Sequence, residues 1–301
     1  MKSLSDNISF TRISQLLKKE FFEKRKVLIL RSIILIAILT SATLFIGVSN
    51  NYHYENITEE IDNSPSGKYT PIAYECYHDY NLQINGVPTD HAINDSIIFF
   101  LFAFPITMAL SASFAFEGMS SKRKKISFLM TPATTLEKYI SQFIIYIFGT
   151  SIIFIIGCII ADFVRFLVFF AIYPGYGIIQ MIPSQYIVEL LFDSNFYNTF
   201  ADNPANLYLL ITMFSTSLFF LGSTIWPRFS FVKTFGALSA IFFSNLLLAM
   251  SILAKDPLFE LIFDDATTAI TIVLLALAIA SIFCFTLAYY RLKESEIIQR
   301  M

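Results

Sequence analysis

Charged side chains make up only 15% of this 301-residue chain, and no Asp or Glu interrupts its long apolar runs. That shortage excludes an ordinary soluble domain, in which about a quarter of the residues are charged. Cysteine is sparse too: Cys76 lies in a polar segment and Cys158 and Cys284 in apolar runs. Neither a disulfide framework nor a CxxC redox motif can be read, and three free thiols are expected. The net charge of −2 offers no basic surplus pointing to nucleic acid. No GxxxxGK[ST] loop is present to hold nucleotide phosphates, since Gly67-Lys68 lacks the preceding glycine. Nor do acids, histidines or a nucleophile with its base converge at related depth, so the chain is not expected to be an enzyme or to hold a cofactor.

What is abundant is apolar. The chain is 55% hydrophobic and carries 33 Phe, more than a soluble core of this size needs, so lipid must be part of its solvent. About 20 apolar residues cross the hydrocarbon as a helix, and six runs reach that length, at 28–48, 96–116, 140–161, 206–226, 235–254 and 268–290. They are continuously apolar and do not alternate, which favours helices over a barrel, because a helix satisfies its own backbone hydrogen bonds in lipid. The expected fold is an all-α membrane protein of six transmembrane helices. The polar leader is followed by no small-residue cleavage site, so the first run is expected to stay as an anchor.

Basic residues resist translocation, and their distribution is lopsided. Seventeen Lys and Arg flank one side: seven from Lys2 to Lys26, then Lys122, Arg123, Lys124, Lys125, Lys138, Arg228, Lys233, Arg291, Lys293 and Arg300. The loops of the other side hold only Lys68 and Lys255, while the 49–95 loop collects Glu55, Glu59, Glu60, Asp62, Glu75, Asp79, Asp90 and Asp95. This predicts a multi-pass protein of the cell (inner) membrane with both termini cytoplasmic.

Several segments stand out between the runs. The leader, 8–26, spaces Phe10, Ile13, Leu17 and Phe21 by three or four with basic residues between them, the period of a helix with one apolar stripe. It reads either as an interfacial helix feeding the first span or as a flank that merely sets orientation. In the 49–95 loop, Asn85-Gly86 marks a hairpin turn. His53, His78, His91 and Cys76 also gather there, but no pair has the usual zinc spacing, so no metal site is expected. Asp162 and Arg165 stand at helical spacing and can pair, and the aromatic run 163–173 either lengthens the third span or lies in the interface. Ser215, Thr216 and Ser217, and Ser244 with Asn245, are read as hydrogen bonds between helices. Pro105 is expected to kink the second span, and Trp226 with Arg228 to mark a membrane boundary.

The segment 117–139 reads EGMSSKRKKISFLMTPATTLEKY: an acid, a basic cluster, an apolar run, then Thr131-Pro132. Thr131 can cap a helix with Pro132 in its first position, and Thr134 with Glu137 offers a capping box. A short helix here would present Phe128, Leu129 and Met130 as an exposed apolar knob framed by charge, suited to docking on another protein. The alternative is a topology signal whose apolar triplet dips into lipid.

The layout of leader, six spans and this segment resembles the permease subunits of type 2 ABC exporters, whose coupling segment runs acid, Gly-Thr, apolar pair, Pro, Ser/Thr and a basic exit. Glu117 matches the acid, Phe128 and Leu129 the apolar pair, Pro132 the proline, Thr134 the hydroxyl and Lys138 the exit; Lys125 and Ile126 stand at the Gly-Thr step. The resemblance implies an exporter permease working as a homo- or heterodimer in contact with membrane lipid. A separate ATP-binding subunit would dock on Glu117, Phe128, Leu129, Met130, Pro132 and Lys138. The alternative function is a non-transporting assembly, immunity or partner-binding protein that uses the 49–95 outer loop.

Overall fold

The structure is a computed structural model that describes residues 10–50, 91–173, 179, 181–182, 204–253 and 266–298. The hairpin turn at Asn85-Gly86, His53, His78 and Cys76 lie outside these residues. Among the described residues every regular element is helical: α1 Phe10–Ser49, α2 His91–Ser113, α3 Lys122–Leu129, α4 Thr135–Phe143, α5 Thr150–Ile172, α6 Pro204–Ile225, α7 Ser230–Leu253 and α8 Ala266–Ile298. A 3₁₀ turn, Glu117–Met119, precedes α3, and a π-helical turn, Ile144–Gly149, joins α4 to α5.

Five stretches are long and apolar enough to cross a membrane: Phe10–Ser49, Ala92–Met119, Thr135–Ile172, Leu207–Ile225 and Val273–Ser295. They contain or closely overlap the expected spans 28–48, 96–116, 140–161, 206–226 and 268–290. The remaining span, 235–254, falls on α7, whose described apolar stretch Ser230–Ser244 is shorter. The largest overruns of the predicted limits are in α1 and α5. The leader and first span are one uninterrupted helix of 40 residues, about 60 Å long and twice the hydrocarbon thickness. The aromatic run after Asp162 continues α5 to Ile172 and so lengthens the third span. Pro105 sits inside α2 without ending it.

The packing fits helices that face lipid. Large side chains such as Phe45, Phe102 and Ile279 face outward, whereas Ala109, Ala112, Ala115 and Ala288 are buried, because small residues let helix backbones approach. Buried hydroxyls bond mostly within their own helix. Ser215 and Thr216 donate to the Thr212 carbonyl and Ser217 to that of Phe214, where bonds between helices were expected. Carbonyls three or four residues back are always in reach of a helical Ser or Thr, so these side chains need no partner helix. Ser217 also meets the Cys284 thiol on α8. Ser244 is exposed.

The chain divides into two compact units. The first comprises residues 1–25, 104–152 and 189–301; its core gathers Phe116, Met119, Tyr146, Phe219, Phe220, Ala288 and Leu292. Phe220 is the hub, meeting Phe116, Tyr139, Phe143 and Phe285 edge-on at centroid distances of 5.3, 5.5, 6.0 and 5.9 Å. Such pairs contribute beyond area burial because ring edge and face carry opposite partial charge.

The second unit, residues 26–103 and 153–188, packs α1 on α5. Gly47 lies so close to the Phe169 ring that a Cβ there would collide with it, and Thr43 donates to the Ala161 carbonyl at 3.4 Å. Arg165 donates from Nε and Nη2 to Asp162 Oδ1 at 3.0 and 2.9 Å, while Asp162 Oδ2 accepts the Ile182 amide at 2.8 Å. The expected pair therefore forms, and both residues are buried.

Candidate functional site in the 117–139 segment

The segment is a helix–turn–helix set on the core of the first unit. Ser121 opens α3 by accepting the Lys124 amide at 3.4 Å, so the basic cluster itself forms the first turn of the helix. The fourth residue of the cluster leads into Ile126, which is 46% exposed, and Met130 at the C-terminal end of α3 is 80% exposed. Phe128 departs from the expected knob. Its ring turns inward, edge-on to Phe116 at 6.5 Å, and the Lys138 ammonium lies 6.0 Å from its centroid. Three consecutive helical residues cannot share one face, because successive side chains are about 100° apart. Leu129 is the last residue of α3.

Thr131 does not cap the second helix. Its hydroxyl donates to the Ser127 carbonyl at 3.2 Å and accepts from Lys19 at 3.3 Å, while Pro132 occupies the turn. The capping box at Thr134 starts α4: Glu137 N donates to Thr134 Oγ1 at 3.2 Å and Thr134 N to Glu137 Oε2 at 3.0 Å. A start at Thr131 would have Thr134 at the third helical position and no carboxylate to return the bond. Glu137 and Lys138 are both buried, so Lys138 is a packed residue rather than an open basic exit. Glu117, in the 3₁₀ turn, is exposed.

The leader contributes to the same site, which its sequence alone did not reveal. Ile13 and Leu16 are buried, whereas Phe10 is 85% and Phe21 54% exposed, so the inward stripe is offset from the expected Phe10, Ile13, Leu17 and Phe21. The reason is polar. Glu20 pairs with Lys24 at 2.8 Å, and Lys24 reaches the Tyr146 hydroxyl on the π-helical turn at 3.4 Å. The π turn is itself tied to α2, where Ser111 donates to the Tyr146 carbonyl at 2.7 Å and bonds the Thr150 hydroxyl.

The outward surface is thus Arg123, Lys124, Ile126, Ser127 and Met130, on a short helix packed from behind through Phe128 on Phe116 and followed by Thr131, which Lys19 of the leader bonds. Among the described residues no group of three His, Cys, Asp or Glu gathers as a metal site would require. No protein-family model, curated protein or solved structure matches the chain.

Proposed function

We propose that this chain is the membrane-spanning permease subunit of an ATP-driven exporter, energised by a separate ATP-binding subunit that docks on α3. The observation that carries the reading is the build of the 117–139 segment. A short basic helix ends in an exposed Met130, its rear face is anchored to the aromatic core by Phe128, and the turn after it is bonded to the leader by Lys19–Thr131. A helix so braced transmits a push, where a loose loop would absorb it. In this reading six helices cross the cell membrane with both termini cytoplasmic, α7 being the sixth. The leader's Phe10, Phe21 and Phe22 meet the lipid interface, and two permease subunits form a homo- or heterodimer.

The docking anchors are Ile126 and Met130, with Glu117, Arg123 and Lys124 around them. Truncating a buried apolar anchor in an interface costs on the order of 2 kcal/mol. Affinity purification of the parent should therefore recover an ATP-binding protein, and I126A/M130A should weaken that association roughly thirtyfold with the membrane level unchanged. Phe128→Ala should act differently, lowering stability because it removes a partly buried ring packed against the core. Should no ATP-binding protein co-purify, or should I126A/M130A retain it fully, the exporter reading fails. A partner-binding role through the 49–95 loop then becomes the better account.

A further inference from the structure

We propose that the turn joining α6 to α7, Trp226 to Phe229, together with Lys233, is a binding site for the headgroup of an acidic phospholipid. Three observations meet there. The first is charge. From Pro204 to Leu253 the only charged residues are Arg228 and Lys233, with no Asp or Glu to neutralise them. Both are exposed. Two cations at the junction of two apolar helices attract anionic headgroups, and the planar guanidinium fork fits a phosphate.

The second is a broken local rule. Phe229 is the described non-glycine residue with positive φ, 56°, and it stands at the N-cap of α7, its carbonyl accepting the Lys233 amide at 3.2 Å. Both features suit Gly or Asn; an aromatic ring can neither cap the helix nor enter the left-handed region without strain. Its ring is 68% exposed and the Arg228 guanidinium lies 5.3 Å from its centroid. A strained, outward aromatic indicates a use beyond folding.

The third is continuity. Val232 and Phe235, 68% and 59% exposed, extend the apolar surface of Phe229 along α7, while Phe231 turns inward and stacks on Phe219 at 5.2 Å. Phe229 therefore closes an outward apolar strip, with Arg228 against its ring and Lys233 one turn further along α7. That arrangement matches one phospholipid, with acyl chains along the strip and phosphate at the cations. Only the assignment of these helices to a membrane is required, so the inference is independent of the exporter reading.

Trp226 is the single tryptophan of the chain and a built-in reporter. The full chain is reconstituted into phosphatidylcholine vesicles containing an equal fraction of dibrominated phosphatidylglycerol or dibrominated phosphatidylcholine; bromine quenches indole only at short range. The acidic lipid should quench with an apparent preference of about fivefold or more, falling as salt is raised. R228Q/K233Q should reduce the preference below about twofold while quenching by the brominated phosphatidylcholine stays as in the parent, which shows the turn still seated at the bilayer. If the double variant cannot be purified, the single variants R228Q and K233Q and the salt dependence of the parent decide the matter. Equal quenching of the parent by both lipids, or a preference that survives the substitutions or high salt, overturns the proposal; the former result would point to a protein contact at this turn.

Discussion

At the scale of single residues, the buried polar groups carry the sharpest consequences. Removing Arg165 leaves the Asp162 carboxylate buried beside the Ile182 amide alone, and breaking a buried pair in this way costs about 3–5 kcal/mol. Arg165→Met should therefore lower the thermal midpoint of the purified protein sharply. Asp162→Asn should be costly as well, because it leaves the buried Arg165 guanidinium without its carboxylate. A result in which the two variants are equally mild would show that the pair does not hold this part of the second unit. Gln142 presents the opposite case. It is buried, and neither amide atom has a hydrogen-bond partner, a situation that costs about 1–3 kcal/mol. Gln142→Leu should consequently raise the thermal midpoint, and a fall would mean that the amide is satisfied in the native membrane. The Asp162–Arg165 spacing was legible because a pair three apart on a helix is a local matter. The burial of Gln142 was not, since burial depends on neighbours that no local pattern names.

At the scale of elements, α4 tests how a helix start is chosen. Two starts were readable, Thr131-Pro132 and Thr134 with Glu137, and the structure uses the second because it satisfies two backbone amides reciprocally. Thr134→Ala should destabilise by about 1 kcal/mol, whereas Thr131→Val should cost less, its lost bonds being exposed ones to Ser127 and Lys19. Chemical denaturation of both variants in detergent checks the order, and a larger loss at Thr131 would contradict it. The leader shows where periodicity misleads. Spacing alone favoured Phe10, Ile13, Leu17 and Phe21, yet Glu20 and Lys24 face inward because Tyr146, distant in the chain, offers Lys24 a hydroxyl and a ring 5.5 Å away. An apolar stripe predicts the buried face only when the covering surface is apolar too. In α3 the same limit applied to Phe128, whose partner Phe116 stands just before the 3₁₀ turn.

At the scale of the whole molecule, the helices and the charge distribution together make topology testable. A reporter fused at Met301 should stay in the cytoplasm and one inserted near Gly67 should be exported, because seventeen basic residues flank one side and two the other. An impermeant thiol reagent applied to intact cells should label Cys76, whereas Cys158 and Cys284, both buried, should be shielded. Strong labelling of Cys158 would contradict the placement of α5 as a membrane helix.

Composition and run length were sufficient by themselves to foresee that the described residues are helical and rich in helices long and apolar enough to cross a membrane. Lipid imposes on every span the same requirement, an apolar run about 20 residues long that closes its own hydrogen bonds, and such a requirement is written in consecutive residues. The capping box and the Asp162–Arg165 pair were legible for the same reason, since their partners stand three residues apart. Only the tertiary structure decided that Phe128 and Lys138 pack inward and that Met130 stays out. It also decided that the leader's inward face is set by Lys24 and Glu20, and that Phe229 is held outward in a left-handed backbone. The leader's inward face depends on surfaces that meet across more than a hundred residues of chain, as Lys24 and Tyr146 do, and contacts of that separation leave no mark on the local pattern of either partner.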